Sequence, residues 1–273
     1  MMNTMKKLGT AALALTMMGS LAACGSGNAG NDSTQNEKGL VYAVEAGSAG
    51  EAIAREKGYT YNSVSAQADT LMEVASGTSD AAIIDLLMAG AMIGEGTSYP
   101  NLVYGERLTE EEYGVGCHQG SDLDELINTV FSEAYAYGTM NELADTYGIS
   151  PDLIIEQPEA ADLPPAEADG DIAYIQDKGT LVVGITEFTP LDYKDEDGNW
   201  IGFDADMAKL VADRLGVEAK FVVIDWDNKI MELDSKNIDV VWNGMTLTGE
   251  VTGSMDCTNP YFKNAQVVVV PEA

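Results

Sequence analysis

The sequence predicts an α/β protein built from two lobes, and three observations lead to this prediction. Short apolar runs of strand length alternate with amphipathic, helix-length segments through residues 39–150. The same alternation returns in residues 171–270. Between them, residues 151–170 are rich in Pro, Ala, Glu and Asp, a composition typical of a linker. Because strands are interleaved with helices, we expect a mainly parallel sheet.

The first element of the chain is an export signal at residues 1–23. Lys6 and Lys7 precede an apolar run, and the following Leu-Ala-Ala-Cys has the pattern of a lipobox that ends at Cys24. We expect Cys24 to carry lipid and to anchor the protein outside the bacterial cell membrane. The alternative is a plain secretory signal with an incidental cysteine. The Gly- and Asn-rich residues 24–37 predict a flexible tether.

The N-terminal lobe is predicted to span residues 38–150. Its apolar runs predict strands at 40–44, 80–84 and 113–117, and its amphipathic segments predict helices at 49–57, 68–75, 86–93, 121–138 and 139–147. Ser121 and Thr139 precede the last two helices, and both are residue types that cap helix N-termini.

The C-terminal lobe is predicted to span residues 171–273. Its strands are expected at 181–185, 221–226, 238–242 and 266–270. Asp197 and Gly198 predict a tight hairpin turn. The helix after this turn is expected to bury one face, which carries Phe203, Met207, Leu210, Val211 and Leu215.

Composition excludes several classes of function. With 45 Asp and Glu residues against 14 Lys and Arg, the formal net charge is −31, which argues against a nucleic-acid partner. Three cysteines and one histidine exclude a Cys/His zinc site, and we expect neither a metal nor a cofactor. Cys117 and Cys257 are expected to be buried free thiols in different lobes, and the alternative in an exported protein is a disulfide. The acidic run at 192–197 misses calcium-loop spacing and predicts a solvated hairpin.

Enzyme signatures are weak. No Gly-x-Ser-x-Gly elbow occurs in the sequence. Cys117 and His118 are adjacent on a predicted strand, so their side chains should point to opposite faces and cannot form a catalytic dyad. We therefore expect a protein that is not an enzyme.

Particular motifs resemble a known family. The run "GFDAD" at 202–206 with its amphipathic helix, "IDVVWNGMTLTGE" at 238–250 and "NPYF" at 259–262 resemble the first lobe of the solute-binding proteins of polar amino-acid ABC transporters, bacterial solute-binding family 3. The N-terminal half, through "AVEAGSAGEAI" at 43–53 and "DAAIIDLLMAG" at 80–90, resembles that family's second lobe. The resemblance implies a two-lobed periplasmic-binding-protein (type II) fold with a hinge and an interlobe cleft.

The two halves stand in the reverse of the family's order. This order implies a circular permutation, in which residues 151–170 join the family's usual C-terminus to its usual N-terminus. Domain termini at the surface make such a rearrangement tolerable. We expect the strand at 266–270 to cross the hinge into the N-terminal lobe, and the lobes to pair within one monomer. The rival arrangement is a swap between two molecules.

The resemblance implies a ligand site in the cleft. Asp85 would pair with a ligand ammonium, and Phe188 would stack on the ligand side chain. The helix N-terminus at Gly47 and Ser48 suits a carboxylate. The remaining expected members are Thr186, Trp226, Asn243, Gly244 and Thr246. The alternatives are a helix cap for Asp85, an ordinary capped helix after Ser48, and core aromatic residues.

One departure from the family concerns the ligand's carboxylate. Val251 occupies the position at which the family usually has an Arg that clamps this group. Three outcomes stay open: the helix N-terminus at Ser48 suffices, Lys229 or Lys263 substitutes, or the ligand is an amine without a carboxylate.

The predicted function is that of a lipid-anchored extracytoplasmic receptor. It would bind a small polar ligand, most simply an amino acid or a derivative, close at the hinge, and deliver the ligand to an ABC permease. The alternatives are a ligand-sensing module that reports to a membrane receptor and a rearranged paralogue that no longer binds.

Overall fold

The computed structural model describes residues 39–160 and 167–272. The predicted signal peptide at 1–23, the lipidation site Cys24 and the tether at 24–37 lie outside the described residues. None of the helices in the described part of the chain is both long enough and apolar enough to cross a bilayer.

The described elements follow one another as short strands and helices. In chain order the strands are β1 (Val41–Glu45), β2 (Thr60–Val64), β3 (Ala81–Asp85), β4 (Leu102–Arg107), β5 (Glu111–Cys117), β6 (Thr180–Ile185), β7 (Tyr193–Lys194), β8 (Trp200–Ile201), β9 (Glu218–Val223), β10 (Val240–Thr246), β11 (Asp256–Cys257), β12 (Phe262–Asn264) and β13 (Gln266–Pro271). The α-helices are α1 (Ala49–Lys57), α2 (Gln67–Ser76), α3 (Leu86–Met92), α4 (Leu123–Ala136), α5 (Thr139–Thr146), α6 (Asp171–Lys178), α7 (Phe203–Leu215), α8 (Lys229–Asp234) and α9 (Gly249–Ser254).

Two larger sheets organise these elements into an α/β protein with two lobes. The first sheet has the order β2-β1-β3-β13-β4, and the second has the order β11-β5-β10-β6-β9, with β12 also paired to β5. Within each sheet the strands that alternate with helices are parallel, as in β1 with β2 and β3, and in β6 with β9 and β10. The strands that arrive from the other half, β13 and β5, run antiparallel to their neighbours.

The boundary between the lobes does not fall at residue 150. Strand β5 lies in the second sheet, and helices α4 and α5, which follow it, contact α7. Tyr113 and Val115 on β5 are fully buried in the same apolar core as Trp242. Residues 41–107 and 266–271 therefore form the first lobe, and residues from 111 to 264 form the second.

The chain crosses between the lobes at two adjacent places. After β4 it passes into β5 through residues 108–110, and after β12 it passes into β13 at residue 265. The crossings are bonded to each other, because Leu108 N–H donates to Gln266 O at 2.8 Å and Gln266 N–H donates to Thr109 Oγ1 at 2.9 Å. These two paired connections form the hinge.

The first part of the predicted linker is hydrogen-bonded to the second lobe. Ile155 N–H donates to Tyr261 O at 2.9 Å, and Gln157 Nε2 donates to Pro260 O at 2.8 Å. Beyond the undescribed residues 161–166, the chain bonds to Asp122, which accepts from the backbone amide of Ile172 at 3.0 Å. Both described ends of the linker are thus fixed to one lobe.

Two expectations about the second lobe are corrected by packing. Leu210 was expected on the buried face of α7 but is 37% exposed, whereas Ala208 and Ala212 of the same helix are buried. Asp192 was expected in a solvated hairpin but is fully buried. Burial and the nearby Asp204 raise the pKa of the Asp192 carboxyl well above its usual value.

The two cysteines were expected in different lobes but lie in the same sheet. Strand β11 pairs with β5 so that Asp256 faces Cys117 and Cys257 faces Gly116. Directly opposed residues share a face and successive residues alternate, so the two thiols lie on opposite faces of the sheet. Both are free, with Cys117 buried.

Candidate functional site

A small cavity lies where the carboxyl ends of strands from the two sheets approach each other. Its volume is about 150 Å³. The first lobe lines it with the ends of β1 and β3 and the start of α1, and the second lobe lines it with β10, α9 and the turn at Trp226. A cavity of this size holds a molecule about as large as benzene.

Eight of the nine sequence-predicted site residues line this cavity. They are Gly47, Ser48, Asp85, Phe188, Trp226, Asn243, Gly244 and Thr246. The ninth, Thr186, lies behind Asn243: its backbone amide donates to Asn243 Oδ1 at 2.8 Å, and its hydroxyl accepts from Asn243 Nδ2 at 2.9 Å. Thr186 therefore orients Asn243, and the Asn243 side chain is already engaged with it.

Asp85 is buried at the end of β3 and accepts several hydrogen bonds. Its Oδ2 accepts from Gln67 Nε2 at 2.5 Å, and its Oδ1 accepts from Tyr113 OH at 2.5 Å, from Gln266 Nε2 at 3.0 Å and from Asn264 Nδ2. No side-chain capping bond joins Asp85 to helix α3, so the helix-cap interpretation is not supported.

The electrostatic state of Asp85 reflects opposing influences. Burial, with the nearby Glu111, raises the pKa of Asp85 to about 7, while the hydrogen bonds from Tyr113, Gln67 and Asn264 lower it. The donors come from both lobes, since Tyr113 and Asn264 belong to the second. Asp85 is therefore a junction between the lobes as well as a cavity residue.

Gly47 and Ser48 form a capped helix start. Ser48 Oγ accepts from Glu51 N–H at 3.1 Å, and Glu51 Oε2 accepts in return from Gly47 N–H at 3.1 Å. The amides of Gly47 and Glu51 are thus satisfied within the loop, and an acidic side chain already occupies the first turn. A ligand carboxylate would compete with Glu51 at this place.

The second lobe presents apolar surfaces to the cavity. Phe188, Trp226 and Val251 line it, and each is at most 8% exposed. Gly244, which has φ of 56°, directs its amide to Asp204 Oδ2 at 2.7 Å and away from any ligand. The backbone of Gly244 therefore shapes this wall without offering its own donor.

Of the two cations proposed to replace the family Arg, only Lys229 lines the cavity. Lys229 Nζ donates to Gly47 O at 2.9 Å, which joins the two lobes, and to Trp226 O at 3.2 Å. It also lies 4.9 Å from the centre of the Trp226 ring. Burial lowers the pKa of Lys229, although Glu250 and Glu45 oppose this effect. Lys263 lies in a separate groove near the hinge.

Sequence reasoning missed Glu45, which lines the cavity at the end of β1. It is 4% exposed, and among the described residues no group forms a hydrogen bond with its Oε1. Burial, followed by Asp85, raises the pKa of Glu45 to about 8. The sequence signal that could have identified Glu45 is its position two residues before Gly47, where β1 meets the loop that lines the cavity.

The described residues hold no group of three or more His, Cys, Asp or Glu side chains suited to a metal ion. The cavity is lined by side chains that form hydrogen bonds, carry charge or make apolar contacts. It offers two buried carboxyl groups from the first lobe, with one cation and aromatic surfaces from the second.

Comparison with known proteins locates the strongest similarity in the C-terminal part of the chain. Residues 181–273 match the model of bacterial extracellular solute-binding proteins, family 3. The L-cystine-binding protein TcyJ of Escherichia coli (strain K12) is 36% identical over 94 residues, which are 34% of this chain and 35% of that protein. The chain thus spans about a third of the length of this relative.

Other matches cover the same share of the chain. Cyclohexadienyl dehydratase of Pseudomonas aeruginosa is 27% identical over 96 residues, or 35% of this chain and 36% of that protein. Among solved structures, the arginine-bound Phe57Trp mutant of domain 1 from TmArgBP shares 40% identity, with a TM-score of 0.33, over 37% of this chain and 84% of that one. Similarity to an enzyme therefore accompanies similarity to binding proteins.

Proposed function

Residues 181–273 carry a family 3 solute-binding sequence, and from this premise we propose that the chain is an extracytoplasmic solute receptor. It binds a small polar ligand, an amino acid or a close derivative, and presents it to an ABC permease. The observation that carries the proposal is the cavity of about 150 Å³, which both lobes line and which holds the buried carboxyl group of Asp85.

Closure at the hinge is the proposed mechanism. Lys229 of the second lobe already reaches Gly47 O of the first, and the backbones of Gly47 and Asp227 lie so close that a methyl group on Gly47 would stand 2.6 Å from Asp227 Cα. A ligand that contacts both lobes adds to these contacts and favours the closed state. The permease would then distinguish the closed form from the open one.

Three further features belong to this proposal. Cys24 carries the lipid anchor, the two halves are a circular permutation of the family's order, and the receptor acts as a monomer without a cofactor. The proposal assigns no catalysis to the chain. The match to a binding protein, with higher identity than the match to the dehydratase, supports the same choice.

A thermal-shift screen of the mature chain against amino acids and small amines tests the proposal. A ligand at a hundredfold excess over Kd stabilises the native state by about 2.7 kcal/mol, which moves Tm by a few degrees at this size. We expect one chemical class to give such a shift. A cooperatively melting sample that responds to none of these compounds would contradict receptor function.

The location of the protein has its own test. Cys24→Ser should release the protein from the membrane fraction, while the unmodified chain should stay there and show the mass of a lipid-bearing N-terminus. Equal release of both proteins would remove the anchor from the proposal and leave ligand binding untouched.

A further inference from the structure

We propose that the Glu45 carboxylate binds a cationic nitrogen of the ligand, so that the receptor prefers small molecules of net positive charge to neutral or acidic ones. The ligand class is a compact diamine or a diamino acid. This inference rests on the proposed receptor function and goes beyond it by assigning both a binding residue and the charge of the ligand.

The first step of the argument is the unmatched carboxyl group of Glu45. Its side chain is 4% exposed and lines the cavity, and Oε1 forms no hydrogen bond with any residue that the structure describes. A buried polar atom without a partner destabilises the protein unless something else satisfies it. The cavity is where that partner can stand.

The second step is that Asp85 is largely occupied. Its two oxygens accept from Gln67, Tyr113, Asn264 and Gln266, which use most of the four acceptor positions of a carboxylate. Asp85 has little left for a ligand beyond one bond at Oδ2. Glu45 has the greater unused acceptor capacity, which makes it the stronger candidate to bind a cation.

The third step is the balance of charge around the cavity. Glu45, Asp85 and Glu250 line it, and Lys229 is the only lysine or arginine among the described residues that does so. Lys229 already donates to two backbone carbonyl oxygens, and Val251 stands where a second cation would hold a carboxylate. An anionic ligand group therefore has few partners here, whereas a cationic group can bind Glu45 Oε1, which has no hydrogen-bond partner among the described residues.

This arrangement predicts proton release on binding. Without ligand, the pKa of Glu45 is raised to about 8 by burial and by Asp85 and Asp69, with Lys229 and the Gln67 backbone acting in the opposite direction. A bound cation favours the ionised carboxylate, so Glu45 should lose its proton when the ligand enters. Affinity for a cation should consequently rise with pH up to about 8.

Calorimetric titration of the mature chain at pH 7 tests the inference with four probes: putrescine, L-ornithine, L-alanine and L-glutamate. Repeating each titration in phosphate and in Tris gives the number of protons released. We expect putrescine or ornithine to bind at least tenfold more tightly than alanine or glutamate, with proton release. The comparison of putrescine with ornithine shows whether the ligand needs a carboxylate.

Two variants separate Glu45 from general acidity. Glu45→Gln keeps the shape of the side chain and should weaken cation binding at least tenfold while removing part of the proton release. Glu56→Gln removes an exposed carboxylate from α1 and should change neither quantity. If Glu45→Gln does not fold, the rise of putrescine or ornithine affinity between pH 7 and pH 8, above the pKa of about 7 of Asp85, tests the role of Glu45 in the unmodified chain.

The outcomes distinguish this inference from the function on which it rests. Tightest binding of alanine or glutamate, or unchanged cation affinity in Glu45→Gln, would overturn the role of Glu45 and leave the receptor function intact. A failure of every probe here, and of every compound in the thermal-shift screen, would overturn both.

Discussion

The two lobes contribute opposite chemistry to one cavity. The first lobe supplies buried carboxyl groups, Glu45 and Asp85, at the ends of neighbouring parallel strands. The second lobe supplies aromatic and aliphatic surfaces, Phe188 and Trp226 among them, together with the ammonium of Lys229. In the function proposed above, charge selection therefore depends mainly on the first lobe, while shape and closure depend on the second.

The hinge accounts for how these two contributions reach each other. Strand β13 belongs by sequence to the C-terminal half but lies between β3 and β4 in the first sheet. Its first residue, Gln266, donates from Nε2 to Asp85 Oδ1 at 3.0 Å and to Glu111 Oε2 at 3.0 Å. The hydrogen bond to Asp85 is thus donated by the first residue of the strand that crosses between the lobes. A substitution at Asp85 should therefore affect the packing of both lobes.

The largest effect is expected from Asp85→Ala. The substitution removes a cavity carboxyl group and leaves buried donors from Gln67, Tyr113 and Gln266 without an acceptor. We expect at least a hundredfold loss of ligand affinity and a loss of about 3 kcal/mol in the free energy of unfolding. Calorimetric titration and denaturant unfolding measure the two quantities.

Asp80→Ala is the control for this prediction, because Asp80 lies exposed just before the same strand and its side chain accepts a hydrogen bond only from the Val41 backbone amide among the described residues. It should leave affinity unchanged. Native affinity in a folded Asp85→Ala protein would remove Asp85 from the ligand site and contradict the comparison between the lobes.

The next largest effect is expected from Gly47→Ala, because the added methyl group would push the two lobes apart without changing any charge. The new methyl group would meet Asp227 Cα at 2.6 Å, so the cleft must open to admit it. We expect affinity to fall at least tenfold, and small-angle scattering to show a more extended particle in the presence of ligand.

Gly58→Ala is a matched control, because Gly58 has φ of 68° against 70° for Gly47 and has no atom within 4 Å of the added methyl group. It should cost about 1 kcal/mol of stability through backbone strain and leave affinity unchanged. Equal losses of affinity in the two variants would show that strain, and not contact between the lobes, explains Gly47.

Much of this organisation was predictable from sequence because it rests on periodicity. The apolar run before Asp85 predicted β3, and the spacing from Phe203 to Leu215 predicted α7. Strand β2 escaped prediction because it is an edge strand with mostly exposed positions and therefore has no buried alternation to detect.

For the site, the sequence predicted which residues line the cavity but not their interactions. The ends of strands and the starts of helices pointed to the residues that line the cavity, since both lie at one edge of a parallel sheet. The pKa values and hydrogen bonds of those residues were not predictable, because they depend on partners distant in sequence. Glu111 acts on Asp85, and Lys229 reaches Gly47 across 182 positions.

A third prediction concerns the dependence of stability on pH in the unliganded protein. The pKa values of Glu45, raised to about 8, and of Asp85, raised to about 7, both lie above their usual values in an unfolded chain. The native state therefore binds protons that the unfolded state releases, and stability falls as pH rises from about 4 to about 8. We expect the free energy of unfolding to decrease continuously over this window.

Glu45→Gln should flatten the upper part of this decrease, between pH 6 and pH 8, when unfolding is followed in urea at several pH values. If stability instead rises through this window, these carboxyl groups are ionised in the native state. Glu45 and Asp85 would then stay negatively charged in the first lobe throughout this pH range.

The smallest effect is expected from Lys229→Met, which keeps the aliphatic stem but removes the only lysine or arginine cation that lines the cavity in the described part of the chain. If Lys229 partly replaces the absent Arg, ornithine should lose more affinity than putrescine, by a factor of about five, because only ornithine has a carboxylate. Lys263→Met, in the separate groove near the hinge, should change neither affinity. Equal losses for both ligands would instead assign Lys229 to closure alone, through its bond to Gly47 O, and would place all charge recognition in the first lobe.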